Sequence, residues 1–323
     1  MQAATARAGA NIALVKYWGK RDARLNLPAA GSISITLADL ETRTTVSPLP
    51  DLADDELLLD GQPASAGRIV PVLDRFRALS GCDLRCRVET SNSFPTGAGL
   101  ASSASGFAAL VVAADTAFGT GLDLARLSEQ ARLGSGSAAR SIFGGFVEMA
   151  AGCRVDGHDA VAHPLLEAAE WPLEVVVAIT EAGPKSVSST NGMNLTMSTS
   201  PYYSAWVDSV PADLDRARRA VVAKDFGVLA EVAEASALKM HASALAAQPG
   251  LIYWNPATVA CLHAVRALRD AGTGVFFTVD AGPQVKAVCL PGQGARVADR
   301  LADVDGVVQV MESRLGAGAG VLA

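Results

Sequence analysis

Small and hydroxyl-bearing residues fill one stretch of the chain, residues 95–106, which reads Pro-Thr-Gly-Ala-Gly-Leu-Ala-Ser-Ser-Ala-Ser-Gly. After it, apolar residues recur with the spacing of one helix face, at Phe107, Leu110, Val111, Ala114 and Phe118. Small residues let the backbone approach a ligand closely, and the unpaired N–H groups of the next helical turn attract anions. The pattern predicts a phosphate-binding loop, to which Ser102 and Ser103 add hydroxyl groups. The alternative is a flexible loop before a core helix.

A basic and aromatic stretch, Lys16-Tyr17-Trp18-Gly19-Lys20-Arg21, is a second candidate. It follows a β-branched and aliphatic run at residues 7–15 that predicts a strand. Because the whole chain has a net charge of −6, an anionic substrate would need such a local basic cluster. A solvated turn is the alternative interpretation.

A second loop of glycine and serine occupies residues 134–141 and reads Gly-Ser-Gly-Ser-Ala-Ala-Arg-Ser. It offers backbone donors, the hydroxyls of Ser135 and Ser137, and the two-pronged guanidinium of Arg140. Together these groups suit a ligand with both phosphate and carboxylate. The alternative is an ordinary helix-to-strand turn in which Arg140 forms a structural salt bridge.

Asp280 ends an apolar run at residues 275–279 and is followed by Ala-Gly-Pro. The run predicts a central strand, and an aspartate between a strand end and a turn of small residues is well placed to point into a cleft. A plain turn-forming aspartate is the alternative.

The loop at 95–106 resembles, almost letter for letter, the Pro-x-x-x-Gly-Leu-x-Ser-Ser-Ala loop of the GHMP kinase superfamily of small-molecule ATP-dependent kinases. Within that superfamily the chain is similar to the diphosphomevalonate decarboxylases. Five motifs carry the resemblance, in the expected order: residues 11–22, 95–106, 134–141, the hydroxyl-rich segment 185–193, and Asp-Ala-Gly-Pro at 280–283.

This resemblance implies an α+β, two-domain GHMP kinase fold with an N-terminal mixed or antiparallel sheet domain and a C-terminal α/β sandwich. The active site is expected in the interdomain cleft. The sequence changes character after residue 179, so we predict an ATP-binding domain at 1–180 and a domain carrying the catalytic aspartate at 181–323.

The resemblance also implies a reaction, the ATP-dependent decarboxylation of (R)-5-diphosphomevalonate to isopentenyl diphosphate, ADP, phosphate and CO2, with Mg²⁺. This is a step of the mevalonate pathway of isoprenoid biosynthesis. A 3-hydroxy acid has no carbonyl that could accept the electrons left by departing CO2, so its tertiary hydroxyl must first be made a leaving group by phosphorylation. Three alternatives remain open: a decarboxylase of the monophosphate, a mevalonate-type kinase without decarboxylation, and a nucleotide-binding protein that has lost its chemistry.

Matching motifs assign a role to each site residue. Asp280 would orient the 3-hydroxyl and take its proton, and Lys16 beside it would keep the carboxylate ionised. Arg140, helped by Asn11, would hold the substrate carboxylate. ATP would contact Pro95, Gly97, Ala98, Gly99, Leu100, Ala101, Ser102 and Ser103. The rest of the substrate, its diphosphate above all, would contact Tyr17, Lys20, Ser135, Gly136, Ser137, Arg140, Lys185 and Ser189. No metal ligand is identified.

The roles of Asn11 and Lys16 impose a geometric condition on the first strand. Alternation along an extended strand would put these two side chains on opposite faces. Both can reach one small substrate only if the strand ends or bulges before Lys16.

Composition limits the other classes of function. The chain has 323 residues, half of them apolar and 19% charged, which is typical of a globular enzyme that can hold two domains. Its negative charge argues against nucleic-acid and membrane partners. Five cysteines without paired metal spacing argue against a disulfide framework or a zinc site. Neither a leader-like start nor an apolar run of membrane-spanning length is present, so we expect a cytoplasmic location, and the resemblance implies a homodimer.

Periodicity and turn residues predict the remaining elements. Strands are expected at 31–37, 41–47, 56–59 with a hairpin turn at Asp60-Gly61, 84–90, directly after Gly144-Gly145, and at 175–179, 285–290 and 306–311. Helices are expected at 69–79, 123–133, 201–222, 225–244, 256–271 and through residue 298.

Overall fold

The computed structural model describes residues 1–94, 102–183 and 186–322. The predicted contacts Pro95, Gly97, Ala98, Gly99, Leu100, Ala101 and Lys185 lie outside the described residues. The first nine strands are β1 (Ala4–Val15), β2 (Lys20–Asp22), β3 (Leu27–Pro28), β4 (Ser32–Leu49), β5 (Glu56–Leu59), β6 (Gln62–Ala64), β7 (Arg85–Asn92), β8 (Phe146–Met149) and β9 (Ala162–Leu166). The later strands are β10 (Glu174–Ile179), β11 (Val275–Val279), β12 (Val285–Cys289), β13 (Gln309–Arg314) and β14 (Gly320–Leu322).

The helices fall mostly where periodicity places them. They are α1 (Val70–Ser80), α2 (Ser102–Phe118), α3 (Leu124–Gly134), α4 (Ala138–Ser141), α5 (Ser189–Thr199), α6 (Tyr203–Ala223), α7 (Phe226–Leu245), α8 (Pro256–Asp270) and α9 (Gly294–Ala302), and a 3-10 turn spans Ala66–Arg68. The predicted cap of α3 is confirmed, since the Asp123 side chain accepts a hydrogen bond from the Arg126 N–H.

The first sheet has the order β14-β1-β4-β7-β5-β6, and β8 and β9 extend it from β4. Its pairings are antiparallel except that of β5 with β7, which is parallel. The predicted mixed or antiparallel sheet is therefore confirmed. The predicted hairpin turn is confirmed. Asp60 and Gly61 have φ values of 49° and 77°, the left-handed conformation that a tight two-residue hairpin demands at both positions.

The two strands predicted at 31–37 and 41–47 are one strand, β4, and that prediction was wrong. Gly9 of β1 pairs with Glu41 of β4, and Asn11 of β1 pairs with Thr36 of β4. Between these two pairs β1 advances by two residues and β4 by five. The extra residues form a bulge, which bends a strand without ending it. The break in the apolar–polar alternation between residues 37 and 41 therefore indicates a bend within β4, and not the end of a strand.

The second sheet is antiparallel with the order β11-β12-β10-β13. Helices α8 and α9 cover one face and share an apolar cluster with it. Its other face joins β1, β4, α6 and α7 in one large core that both halves of the chain share. Helix α2 packs on the first sheet against β1 and β4, in a separate core.

The domain division at residue 180 stays a prediction. Strand β10 pairs with β12 and β13, and β14 pairs with β1. Sheet membership therefore places β10 with the second half of the chain and the last strand with the first half.

Helices α4 and α5 and strands β2, β3, β9 and β14 were not predicted, and residues 138–141 of the predicted 134–141 loop form α4. The α5 sequence is rich in serine, threonine and asparagine, which are weak helix formers. Its start is fixed by Ser188, whose side chain accepts a hydrogen bond from the Asn191 N–H. None of the helices within the described ranges combines the length and hydropathy of a membrane span.

Candidate active site

A cavity of about 600 Å³ lies where the two halves of the chain meet. Its wall includes the end of β1, the first turn of α2, the 134–137 loop, the start of α5 and the end of β11. Every predicted site residue that the structure describes lines it or closes it: Asn11, Lys16, Tyr17, Lys20, Ser102, Ser103, Ser135, Gly136, Ser137, Arg140, Ser189 and Asp280. The cavity therefore brings together residues up to 269 positions apart, from Asn11 to Asp280.

Strand β1 meets the geometric condition that the sequence imposes on Asn11 and Lys16. Its register with β4 shifts between Ala13 and Val15, and the strand ends at Val15. Lys16 therefore leaves the alternation of the strand, and both side chains reach the cavity. The end of β1 is also tied to the second half of the chain, because the Lys16 N–H donates to Ser236 Oγ (3.0 Å) and Thr278 Oγ1 donates to the Ala13 carbonyl (3.2 Å).

Lys16 and Asp280 form an ion pair across the cavity. The Lys16 Nζ lies 2.7 Å from Asp280 Oδ1 and donates a second hydrogen bond, also 2.7 Å, to the Ala13 carbonyl. An ammonium has three donors, so one N–H of Lys16 remains for a ligand. The Lys16 side chain is 1% exposed and the Asp280 side chain is 27% exposed, which leaves the carboxylate open to the cavity.

The charges of this pair follow from burial and from their neighbours. Burial lowers the pKa of Lys16 to about 8, against the attraction of Asp280. Burial alone would raise the pKa of Asp280, but the ammonium groups of Lys16 and Lys286 hold it well below its usual range. At neutral pH the cavity therefore contains an ionised carboxylate beside a cationic lysine.

Arg140 is held from three sides by polar side chains. Its Nε donates to Ser34 Oγ (3.0 Å), its Nη1 to Ser32 Oγ (2.6 Å) and its Nη2 to Asn11 Oδ1 (3.0 Å). A guanidinium has five N–H donors, so one N–H on each Nη remains for a ligand. Burial lowers the pKa of Arg140 to about 10, which still leaves it protonated at neutral pH.

Asn11 orients Arg140. Its Nδ2 donates to the Ser137 carbonyl (2.9 Å) and to Ser141 Oγ (2.8 Å), while its Oδ1 accepts from Arg140. The sequence predicts help in holding the substrate carboxylate. In the structure the polar atoms of Asn11 are engaged by the protein, so that help would be indirect, through the position of Arg140.

Tyr17 lies between Arg140 and the 134–137 loop. The guanidinium carbon of Arg140 is 6.0 Å from the centre of its ring. Burial raises the pKa of Tyr17 to about 12, so the phenol is neutral and can donate its proton in a hydrogen bond. The Tyr17 hydroxyl is buried and has no hydrogen-bond partner among the described residues. A buried hydroxyl of this kind suits a site where a bound ligand supplies the acceptor.

The first turn of α2 presents Ser102 and Ser103 to the cavity. Buried Ser105, one turn further, anchors this end of the helix because its Oγ lies 2.7 Å from Thr42 Oγ1 on β4. The N-terminus of a 17-residue helix thus faces the cavity from a fixed position, and such an end favours phosphate.

Comparison with known proteins assigns the family. A family model described as Diphosphomevalonate decarboxylase-like N-terminal domain matches residues 8–162, and one described as Mevalonate 5-diphosphate decarboxylase C-terminal domain matches residues 175–313. The diphosphomevalonate decarboxylase of Eremothecium gossypii is 37% identical over 324 residues, covering 94% of this chain and 81% of that protein. The chain belongs to the diphosphomevalonate decarboxylase family.

Solved diphosphomevalonate decarboxylases have the same fold. The crystal structure of mevalonate diphosphate decarboxylase from Staphylococcus aureus has a TM-score of 0.93 at 36% identity, covering 100% of this chain and 98% of that one. A structure described as MDDEF in complex with MVAPP, AMPPCP and magnesium has a TM-score of 0.91 at 36% identity and covers 99% of each chain. The predicted family, enzyme class and α+β two-domain GHMP kinase fold are confirmed.

Sequence reasoning missed two cavity neighbours that this decarboxylase fold brings in. Arg68 lines the cavity from the 3-10 turn before α1, where no motif marks it. Lys286 lies on β12 with its Nζ 3.4 Å from Asp280 Oδ2. A signal for Lys286 exists, because a lysine inside the wholly buried strand Val-Lys-Ala-Val-Cys needs an anionic partner.

The close approach of Gly136 to Tyr17 gives a testable prediction about this decarboxylase site. A Cβ at position 136 would lie 2.1 Å from the Tyr17 hydroxyl, so Gly136→Ala must displace the ring. We expect KM for the phosphorylated substrate to rise about tenfold, the loss of one hydrogen bond to a charged group, with kcat changed less than about twofold. Steady-state kinetics check this, with Gly227→Ala as a matched control, since a Cβ there makes an ordinary 3.6 Å contact. An unchanged KM in Gly136→Ala would remove Tyr17 from the substrate site.

Proposed function

We propose that this protein catalyses the ATP-dependent decarboxylation of (R)-5-diphosphomevalonate to isopentenyl diphosphate, ADP, phosphate and CO2. The observation that carries the proposal is the composition of the cavity. The cavity contains the Asp280 carboxylate in an ion pair with Lys16, the Arg140 guanidinium held by three side chains, and a helix N-terminus with two serines. These are the groups required to bind a phosphorylated hydroxy acid together with a nucleoside triphosphate.

The nucleotide would lie at the α2 end of the cavity. Ser102 and Ser103 present hydroxyls there, and the helix dipole favours the negative phosphates. The MDDEF structure described as a complex with AMPPCP supports a nucleotide in this fold. The predicted ATP contacts at 95–101 belong to the same proposal.

The substrate would be held at both ends. The two remaining Nη protons of Arg140 suit the two oxygens of the substrate carboxylate, since one guanidinium can donate to both oxygens. The Tyr17 hydroxyl and the 135–137 backbone and hydroxyls suit the diphosphate tail, as does Lys20 at the cavity wall. Contacts from Lys185 and Ser189 stay part of the proposal. Binding of the tail would position the reacting carbon, which is remote from it.

Asp280 would then direct the first chemical step. Its carboxylate accepts a hydrogen bond from the 3-hydroxyl and orients that oxygen towards the γ-phosphorus of ATP. The new O–P bond forms as the bond between the γ-phosphorus and the β,γ-bridging oxygen breaks, and ADP leaves. The hydroxyl proton would pass to the Asp280 carboxylate as the O–P bond forms, and Lys16 and Lys286 keep that carboxylate ionised beforehand. The third donor of Lys16 would offset charge on the transferred phosphoryl group.

The second step releases CO2. The C3–O bond breaks with its electron pair, inorganic phosphate leaves, and positive charge develops on C3. The bond between the carboxylate and C2 then breaks, and its electrons form the C2–C3 double bond of the product. Arg140 would hold the carboxylate in place until that bond breaks.

Magnesium would enter with the nucleotide. Within residues 1–94, 102–183 and 186–322, no group of three or more histidine, cysteine, aspartate and glutamate side chains could hold a metal ion. Phosphate oxygens and water are the ligands that Mg²⁺ prefers when protein ligands are few, so ATP itself would supply its ligands. Bound Mg²⁺ would neutralise charge on the phosphates.

The test is product analysis with three substrates. Purified protein is incubated with MgATP and with mevalonate, 5-phosphomevalonate or 5-diphosphomevalonate, and ADP, phosphate and CO2 are measured. We expect one CO2 and one phosphate for each ADP, with 5-diphosphomevalonate only. ADP without CO2 would indicate a kinase, and CO2 from the monophosphate would indicate the other decarboxylase. The cytoplasmic location and the homodimer stay predictions.

A further inference from the structure

Lys286 is a charged residue where the fold has little room for one. It lies on β12 opposite Thr278 of β11 and Val177 of β10, and it is 2% exposed. Burying an ammonium without an anionic partner is costly, so the residue needs a structural or functional reason. Its Nζ lies 3.4 Å from Asp280 Oδ2, while the Lys16 Nζ lies 2.7 Å from Oδ1 of the same carboxylate.

We propose that Lys286 is a positioning residue for the reaction, which holds Asp280 Oδ2 while Lys16 holds Oδ1 and so fixes the plane of the carboxylate at the cavity wall. This inference rests on the proposed function only for what the carboxylate then does. One ammonium on each oxygen prevents rotation about the last side-chain torsion. The lone pairs left on Asp280 then point in fixed directions, one of which the 3-hydroxyl can use.

The charge balance supports two separate roles for the two lysines. Lys16 lines the cavity, whereas Lys286 does not and reaches Asp280 from within the second sheet. Lys286 also repels Lys16 and so contributes to the lowered pKa of Lys16. Removing the Lys286 charge should therefore raise the pKa of Lys16 above about 8.

Other charged groups near Asp280 do not replace Lys286. Arg140 faces the pair from α4, where its guanidinium acts on both Lys16 and Asp280 through space. His241 faces it from α7, but burial lowers the pKa of His241 to about 3, so the ring is neutral. Glu234, also on α7, faces β11 further from Asp280, where it accepts from the Phe277 N–H and is paired with Arg269 at 2.6 Å.

The first experiment compares Lys286→Met with the parent across pH 6–10. We expect kcat to fall about 10- to 100-fold with KM changed less than about threefold, because a misdirected hydroxyl slows the chemical step more than binding. The alkaline decline of kcat/KM, near pH 8 in the parent, should move to higher pH. Lys239→Met is the matched control, since Lys239 loses an ion pair with Asp213 outside the cavity and should change neither quantity. A parent-like kcat together with an unmoved alkaline limb would overturn the proposal.

The second experiment does not depend on turnover. Carboxyl ¹³C NMR of the parent follows Asp280, assigned by the signal missing in Asp280→Asn. We expect the pKa of Asp280 in the parent to lie below the usual range for aspartate, and to be higher in Lys286→Met than in the parent. A parent Asp280 that titrates at the ordinary value of about 3.9 would overturn the clamp. A clamp seen by NMR in a protein that releases no CO2 from 5-diphosphomevalonate would instead contradict the proposed function.

Discussion

Asp280→Asn is expected to lower kcat about 10³-fold while ATP and substrate still bind. The amide keeps the shape of the carboxylate but lacks its charge, so it cannot orient the 3-hydroxyl as a charged acceptor. It also leaves the ammonium groups of Lys16 and Lys286 without their shared anion. Rapid-quench measurement of ADP and CO2 in a single turnover checks the chemical step directly.

The control for Asp280→Asn must separate chemistry from folding. Asp213→Asn removes a partly buried aspartate from its pair with Lys239, away from the cavity, and should leave kcat within about twofold. Thermal unfolding should show Asp280→Asn destabilised by less than about 3 kcal/mol, because water reaches the exposed part of the site. If Asp280→Asn turns over at the parent rate, Asp280 has no part in the mechanism.

Arg140→Lys is expected to lower kcat/KM about 10²- to 10³-fold although the charge is kept. Arg140 uses three N–H groups on Ser32, Ser34 and Asn11, and its two remaining N–H groups are those we propose for the substrate carboxylate. A lysine has three donors on one atom and cannot span these partners and the ligand together. Part of the loss should appear in KM, because the same contact holds the substrate before reaction.

Arg218→Lys is the matched control for this change. Arg218 makes a two-pronged contact with Glu148, at 2.9 and 2.7 Å, and does not line the cavity. The control should retain parent activity, and circular dichroism should show both variants folded. Parent-like kcat/KM in Arg140→Lys would contradict bidentate holding of the carboxylate.

The site could be predicted from the sequence as far as its chemistry lies in short contiguous stretches. Arg140 and Asp280 each stand beside a stretch of small residues, and Lys16 opens a basic and aromatic stretch at the end of a strand. Lys286 could not be assigned to Asp280, because their contact depends on the register of β11 with β12. The scaffold role of Asn11 was equally hidden, since it depends on β1 and α4 meeting.

The fold was predictable where local pattern and tertiary environment agree. Helix α8 begins at Asn255 with a capping box and carries a clear apolar face, so its bounds matched closely. The α5 region lacks such a face, and its helical structure depends on packing that local sequence does not encode. Gly192 shows this, because a Cβ there would lie 2.1 Å from the Tyr253 hydroxyl. Strand β14 depends entirely on its pairing with β1.

The joining of β1 to the second sheet limits how the molecule can move. Three bonds, from Thr278 to the Ala13 carbonyl, from the Lys16 N–H to Ser236, and from Lys16 to Asp280, cross between the halves beside the site. A clamshell opening about a hinge would have to break all three, including the Lys16–Asp280 ion pair. Ligands are therefore expected to enter past the cavity rim while the two halves stay docked, and small-angle scattering should show a nearly constant radius of gyration with and without nucleotide.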